Sequence, residues 1–228
     1  MKMKFGAIVV DGRGKIGGHV ASKNRGGAYL RTKVTPTNPN STSQAAVRNR
    51  LTSLAQGWRG LTAAQRASWN AAVTNFSQTD VFGDIKNPSG INLYTKLNAN
   101  LLEVGEPIIT SAPLPASVTP VESLVVTASA GVPSLSAAFT PDPVPAGHKF
   151  IVRATAQVSA GINNLKGRFR NIAILDPADT SPENILAAYT AKFGTLVAGQ
   201  KIGFEMIPVN YATGQKGQAV STTVVVGA

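Results

Sequence analysis

The feature that most limits the fold of this chain is a change of hydrophobic period across a proline-rich stretch. Residues 107–120 hold Pro107, Pro113, Pro115 and Pro120 among small residues. Proline fixes φ and removes a backbone donor, so such a stretch is extended and semi-rigid. Before it, apolar residues recur at helical spacing. After it, they alternate in short runs. A period near 3.6 marks an amphipathic helix, and a period of 2 marks a half-buried strand. The pattern predicts an α+β protein in two parts. A β/helical domain spans 1–106, the linker spans 107–120, and a β-sandwich spans 121–228.

In the first part, Phe5 to Val10 predicts a strand, Asp11-Gly12-Arg13-Gly14 a turn, and Ile16 to Ser22 the return strand. Asp-Gly and repeated Gly supply the positive φ that tight hairpins need. Asn24-Arg25-Gly26-Gly27 predicts a second turn and Ala28 to Val34 a third strand, with Arg31 and Lys33 on one face. Pro36 and Pro39 then end the extended segment. Ser41 to Gln44 and Thr62 to Gln65 each have the form of a capping box, whose hydroxyl and amide satisfy orphan N–H groups at a helix start. Behind the first box, Val47, Leu51, Leu54 and Trp58 predict one buried stripe, and Gly57 stands where a left-handed cap belongs. Behind the second, Trp69, Ala72, Val73 and Phe76 recur at i, i+3, i+4 and i+7. The short connection predicts a helix hairpin with both Trp packed in it. Residues 77–88 predict a loop. A third helix is expected from near Ser89, with Ile91, Tyr94, Leu97 and Leu101 facing inward and Gly105-Glu106-Pro107 as its stop.

The second part holds six short alternating segments: Ser123–Ala128, Ser134–Thr140, Phe150–Val158, Arg168–Leu175, Lys201–Val209 and Ala219–Val226. Gly, Pro and Asn punctuate them, as in all-β sandwiches. One helix is expected between them, with Ser181 as N-cap, Pro182 in the first position and Gly194 at the end.

Charge divides the chain at the same place. Residues 1–100 carry 14 basic and 3 acidic side chains, so the whole formal excess of +11 lies there, and the remainder is neutral. Such asymmetry suits a polyanionic partner, either nucleic acid or an acidic protein surface. The candidate contact residues are Arg13, Lys15, Lys23, Arg25, Arg31, Lys33, Arg48, Arg50, Arg59 and Arg66. Arginine suits them to bidentate contact with carboxylate or phosphate.

Catalytic chemistry has little to stand on. The absence of Cys removes disulfides, thiol nucleophiles and thiolate metal sites. His19 and His148 lie in different predicted parts and read as surface or hydrogen-bonded residues. Gly12 to Gly17 matches G-x-G-x-x-G, but no helical period follows it, so it predicts a β-turn rather than a dinucleotide loop. No enzyme, cofactor or metal is expected. The apolar runs are too short for a membrane span.

Ala198 to Glu205, Val209-Asn210 and Thr213 to Gly217 resemble the last hairpin of a fibronectin type III or bacterial immunoglobulin-like module. The first part resembles small proteins of unassigned function found in phage and prophage genomes. The likeness rests on the Gly-rich opening, on Thr37 to Thr42 with Gln44 and Arg48, on Trp58 with Leu61 to Arg66 and Trp69, and on Gly90 to Tyr94 with Asn98. This resemblance implies a structural protein of a bacteriophage virion, capsid- or tail-associated and made in the bacterial cytoplasm. Its implied partners are other virion proteins and copies of itself, with no membrane. Trp58 to Trp69 is also similar to the helix junction of HMG boxes, although their basic N-terminal strand and long third helix are missing. The alternative expectation is a nucleic-acid-binding architectural protein that uses the basic half.

Overall fold

The computed structural model describes Lys2–Met3 and residues 12–24 and 26–228. The predicted strand from Phe5 to Val10, the Asp11 start of the first predicted turn, and the candidate residue Arg25 lie outside the described residues. The fold is mixed α+β: among the described residues three of the four α-helices lie in the first half, and antiparallel sheets occur in both.

Strands β1 (Lys2–Met3), β2 (Gly14–Ile16), β3 (His19–Asn24) and β4 (Gly27–Thr32) form one antiparallel sheet in the order β1-β4-β3-β2. Ile16 pairs with His19, so a turn falls at Gly17-Gly18, inside the stretch from Ile16 to Ser22 that was expected to be one return strand. Gly17 adopts φ 55, the positive value that a two-residue hairpin demands and glycine supplies without a Cβ clash. Asn24 pairs with Gly27, which places the second turn where it was expected.

Three helices follow: α1 (Thr42–Gly60), α2 (Ala63–Ala72, continued by a 3-10 turn over Val73–Phe76) and α3 (Gly90–Glu103). Both halves of the capping box form at Thr62 and Gln65. At α1 the Ser41 hydroxyl accepts from the Gln44 N–H. The Gln44 side-chain Oε1, which would complete the box, is buried without a partner among the described residues. The hairpin helices meet on α3 rather than on each other. Trp58 and Trp69 flank Tyr94, with ring centroids at 5.5 and 5.3 Å. Leu54, Leu61, Leu93 and Leu97 complete this cluster.

Three expectations change here. Gly57 does not end α1; the helix runs through it, and a Cβ there would lie 2.7 Å from the Tyr94 hydroxyl. Its glycine therefore serves the close approach of α1 to α3. Only the lower part of the α1 stripe is covered: Leu54 is buried, whereas Val47 and Leu51 are 63% and 56% exposed. The first turns of α1 extend past the helix that packs against the other end. In α3 the buried face centres on Leu97, with Leu93, Tyr94, Asn98 and Leu101, and Ile91 falls at its rim. Gly105 at φ 78 ends α3, and the Glu106 N–H reaches back to the Leu101 carbonyl in a Schellman closure. The loop over 77–88 contains a small hairpin of β5 (Gln78–Thr79) and β6 (Ile85–Lys86).

The second half holds β7 (Ser123–Ser129), β8 (Ser134–Thr140), β9 (His148–Ala154), β10 (Val158–Ser159), β11 (Arg170–Leu175), β12 (Glu183–Asn184), α4 (Leu186–Phe193), β13 (Gln200–Asn210), β14 (Gln215–Lys216) and β15 (Val220–Val225). One sheet has the order β12-β8-β7. In the other, β13 is central, with β9 and β10 along one edge and β15 and β14 along the other, and β11 pairs outside β9. Leu124, Leu135 and Phe139 from the first sheet share a core with Phe150, Val152, Phe204 and Met206 from the second. The helix begins later than its sequence signals suggest, at Leu186 rather than Pro182. The Ser181 hydroxyl accepts from the Phe139 N–H, and Glu183 and Asn184 pair with β8, so these residues serve the sheet. Gly194 closes α4 as expected.

The proline-rich segment has no regular structure, yet it is tied along its length. The Trp69 indole donates to the Thr110 carbonyl, Asn98 bonds both backbone groups of Ile109, and the Ala112 N–H donates to Ser68. Further along, the Ala116 and Thr119 N–H groups donate to Gln215 and His148. Val104, at the end of α3, packs with Ile151, Ile207 and Val209 on the outer face of the larger sheet.

Candidate functional site

In an antiparallel sheet, directly paired residues share a face. Lys15 pairs with Val20 and Val20 with Arg31, so the first sheet brings Lys15 and Arg31 onto one face across β3. Ser22, Tyr29 and Lys2 share that face by the same pairing. Arg13 and Lys33 stand just outside the strand ends. Lys23 pairs with Ala28 and lies on the opposite face, with Ala21 and Leu30. The expected single basic field is therefore smaller than the strand sequence implied. Alternation within β3, which carries no basic residue on the Lys15–Arg31 face, decides this.

The helical arginines divide further. Arg48 donates to Asn38 Oδ1 at 2.7 Å and to Asn40 Oδ1 at 3.3 Å. Asn40 has φ 48, so this guanidinium clamps the turn that feeds α1. Arg50 is half-buried on α1. Arg59 and Arg66 are exposed on either side of the α1–α2 connection, and Arg59 sits in the last turn of α1, where a cation suits the helix dipole. Beside these charges α1 packs mainly through its later turns, at Leu54, Gly57 and Trp58. Of its 19 residues only Leu54 is buried. Val34 and Ile16 are also largely exposed, at 73% and 67%.

A second polar constellation, which sequence reading missed, joins the two halves. Glu103 lies in the last turn of α3 and accepts from Lys216, from Asn171 at 2.7 Å and from Arg153 at 3.3 Å. Arg153 also donates to Asn171 at 2.8 Å and reaches Glu205 at 3.5 Å. Burial by itself would raise the Glu103 carboxyl. The hydrogen bonds from Lys216 and Asn171, with the charges of Lys216 and Arg153, outweigh it and hold the group down to about 2. Next to it, Lys149 pairs with Glu106 at 2.7 Å and Asp176 at 2.9 Å, and these two hydrogen bonds raise its pKa against the burial that lowers it. One sequence signal did exist: a carboxylate in a last helical turn opposes the helix dipole, so it needs cations from elsewhere.

The two histidines stay apart. His19 is exposed. His148 is buried, accepts the Thr119 N–H at Nε2 and faces the Ala146 carbonyl through Nδ1, which fixes the Nδ1–H tautomer. Among the described residues, no group of three or more His, Asp or Glu is placed to hold a metal, and no helix is long and apolar enough to cross a membrane. Compared with known proteins, the chain matches no family model and no curated sequence.

Proposed function

We propose that this chain is a non-enzymatic structural component of a bacteriophage particle, which assembles with other virion proteins and copies of itself through its N-terminal half. The observation that carries the reading is α1, a 19-residue helix that buries one side chain. Helices in proteins draw most of their stability from tertiary packing, and bare apolar stripes beside charge mark interaction surfaces. Val47 and Leu51 on α1, with the Lys15–Arg31 face of the first sheet, offer apolar and cationic contacts of this kind. The phage resemblance of residues 5–105 supplies the setting. The second half reads as an immunoglobulin-like or fibronectin III-like interaction module. Three strands, β7, β8 and β12, lie across a common core from β11, β9, β13 and β15, an arrangement that favours that reading.

The test is a charge reversal with an apolar counterpart. Arg31→Glu with Lys33→Glu, and separately Leu51→Glu, should leave the isolated protein folded, because surface changes usually shift stability by about 0.5 kcal/mol or less. Incorporation into particles should fall sharply with either. Normal incorporation of both variants refutes the assembly role. The second reading, nucleic-acid binding, is favoured by Tyr29 on the same face as Lys15 and Arg31, an aromatic among cations. It requires DNA affinity that falls steeply with salt and is lost in Arg31→Glu with Lys33→Glu.

A further inference from the structure

The outer face of the larger sheet carries a second feature, remote in sequence from the basic half. The segment between β10 and β11 folds back over β13 and β15 and encloses an open cleft of about 780 Å³. Its wall is held in place by a glycine. A Cβ at Gly203 would lie 2.6 Å from Leu165 Cδ1 and 3.3 Å from Phe169 Cε1, so the segment seats on bare backbone. Leu165 is buried there, and Phe169, half-exposed, lines the cleft. The volume is in the range of small-molecule sites.

The chemistry of the lining is directional. Glu205 supplies a carboxylate that pairs with Arg153 at 3.5 Å. Ser221 pairs with Glu205 and Thr223 with Gly203, so both hydroxyls fall on the outward face beside the carboxylate. On the wall, the Asn163 carbonyl oxygen is taken by Lys201 at 2.9 Å and that of Asn164 by the Lys166 N–H at 3.2 Å. With the oxygen engaged, what each amide has left to offer a ligand is its NH2 donors. An apolar ligand would strand these groups, and a charged ligand would meet a like charge, Glu205 for an anion and Arg153 or Lys166 for a cation. A polyol suits them: each hydroxyl both donates and accepts, and the C–H face of a sugar ring packs on an aromatic ring.

The geometry points to a binding site for a short neutral oligosaccharide in this cleft, with Glu205 as hydroxyl acceptor, Asn163 and Asn164 as donors and Phe169 as the ring contact. The site is independent of the assembly surface proposed for the N-terminal half. The full-length chain, isotopically labelled, is titrated with maltotetraose, xylotetraose and chitotetraose, with tetragalacturonate as the acidic counterpart. At least one neutral probe should saturate at millimolar concentration and shift the amides of residues 163–169 and 221–223. Glu205→Gln and Asn163→Ala should each weaken binding about tenfold with an unchanged thermal midpoint. Asn163→Ala leaves the Arg153 pairing untouched, so it remains informative should Glu205→Gln disturb the fold. Absence of saturable shifts with all three neutral probes overturns the assignment. So does undiminished binding in both variants, or binding of tetragalacturonate alone.

Discussion

Replacing Glu103 by Gln is expected to weaken the junction between the two halves by about 2–3 kcal/mol at neutral pH, and by almost nothing in strong acid. The carboxyl has an ordinary value of 4.5 and is held at about 2 in the folded chain. Each unit is worth about 1.4 kcal/mol, so the folded-state pairing is worth about 3 kcal/mol when the group is ionised. Its side chain is 18% exposed, which leaves solvent screening small. The folded pKa lies below the unfolded one. The stabilisation is therefore complete above the unfolded value and is lost as pH falls from about 5 to about 2. Gln keeps the shape and can still accept from Asn171, but it removes the charge facing Lys216 and Arg153. Urea unfolding of both proteins across pH 7 to pH 2.5 measures the effect. The two stability curves should converge on acidification, with the variant the flatter. A deficit below about 0.5 kcal/mol at pH 7, or curves that stay parallel to the acid limit, would refute the account.

Other outcomes follow from the packing. Gly57→Ala should destabilise by about 1–2 kcal/mol, because its methyl meets the Tyr94 hydroxyl, and in a Tyr94→Phe background the same change should become neutral or stabilising by about 1 kcal/mol. That hydroxyl is buried without a partner among the described residues, so Tyr94→Phe by itself should cost nothing; additive effects in thermal unfolding would contradict the contact. Trp69→Ala should cost about 3–5 kcal/mol by denaturant titration, since the ring is fully buried and its N–H holds Thr110. The 107–120 segment should resist limited proteolysis as long as the chain is folded, because its backbone is bonded at several points; early cleavage there would show those tethers to be weak.

Much of the architecture was legible in the residues themselves. Capping residues set the starts of α1, α2 and α3, because an N-cap bond is made within three residues and needs nothing from the rest of the fold. Alternation located the six main strands of the second half within a few residues, since period 2 is a property of the backbone. What local pattern could not reach was which side of an element finds a partner. The stripe of Val47, Leu51, Leu54 and Trp58 is helical as read, but only tertiary packing decided that α3 covers its lower half. Gly57 carries a helix-ending residue type, yet the approach of Tyr94 from 37 positions away in sequence gives it a different task. Register, not strand sequence, put Lys23 on the face opposite Lys15 and Arg31. The Glu103 network and the Gly203 cleft assemble residues separated by up to 113 positions, and such clusters leave no local period to detect. Helix and strand periods, the N-caps of the first three helices and the uneven charge depend on neighbours in the chain, so they can be read from the residues in order. Which faces are buried, which charges are paired and where the two halves lock depend on neighbours in space, so they emerge only when the chain packs.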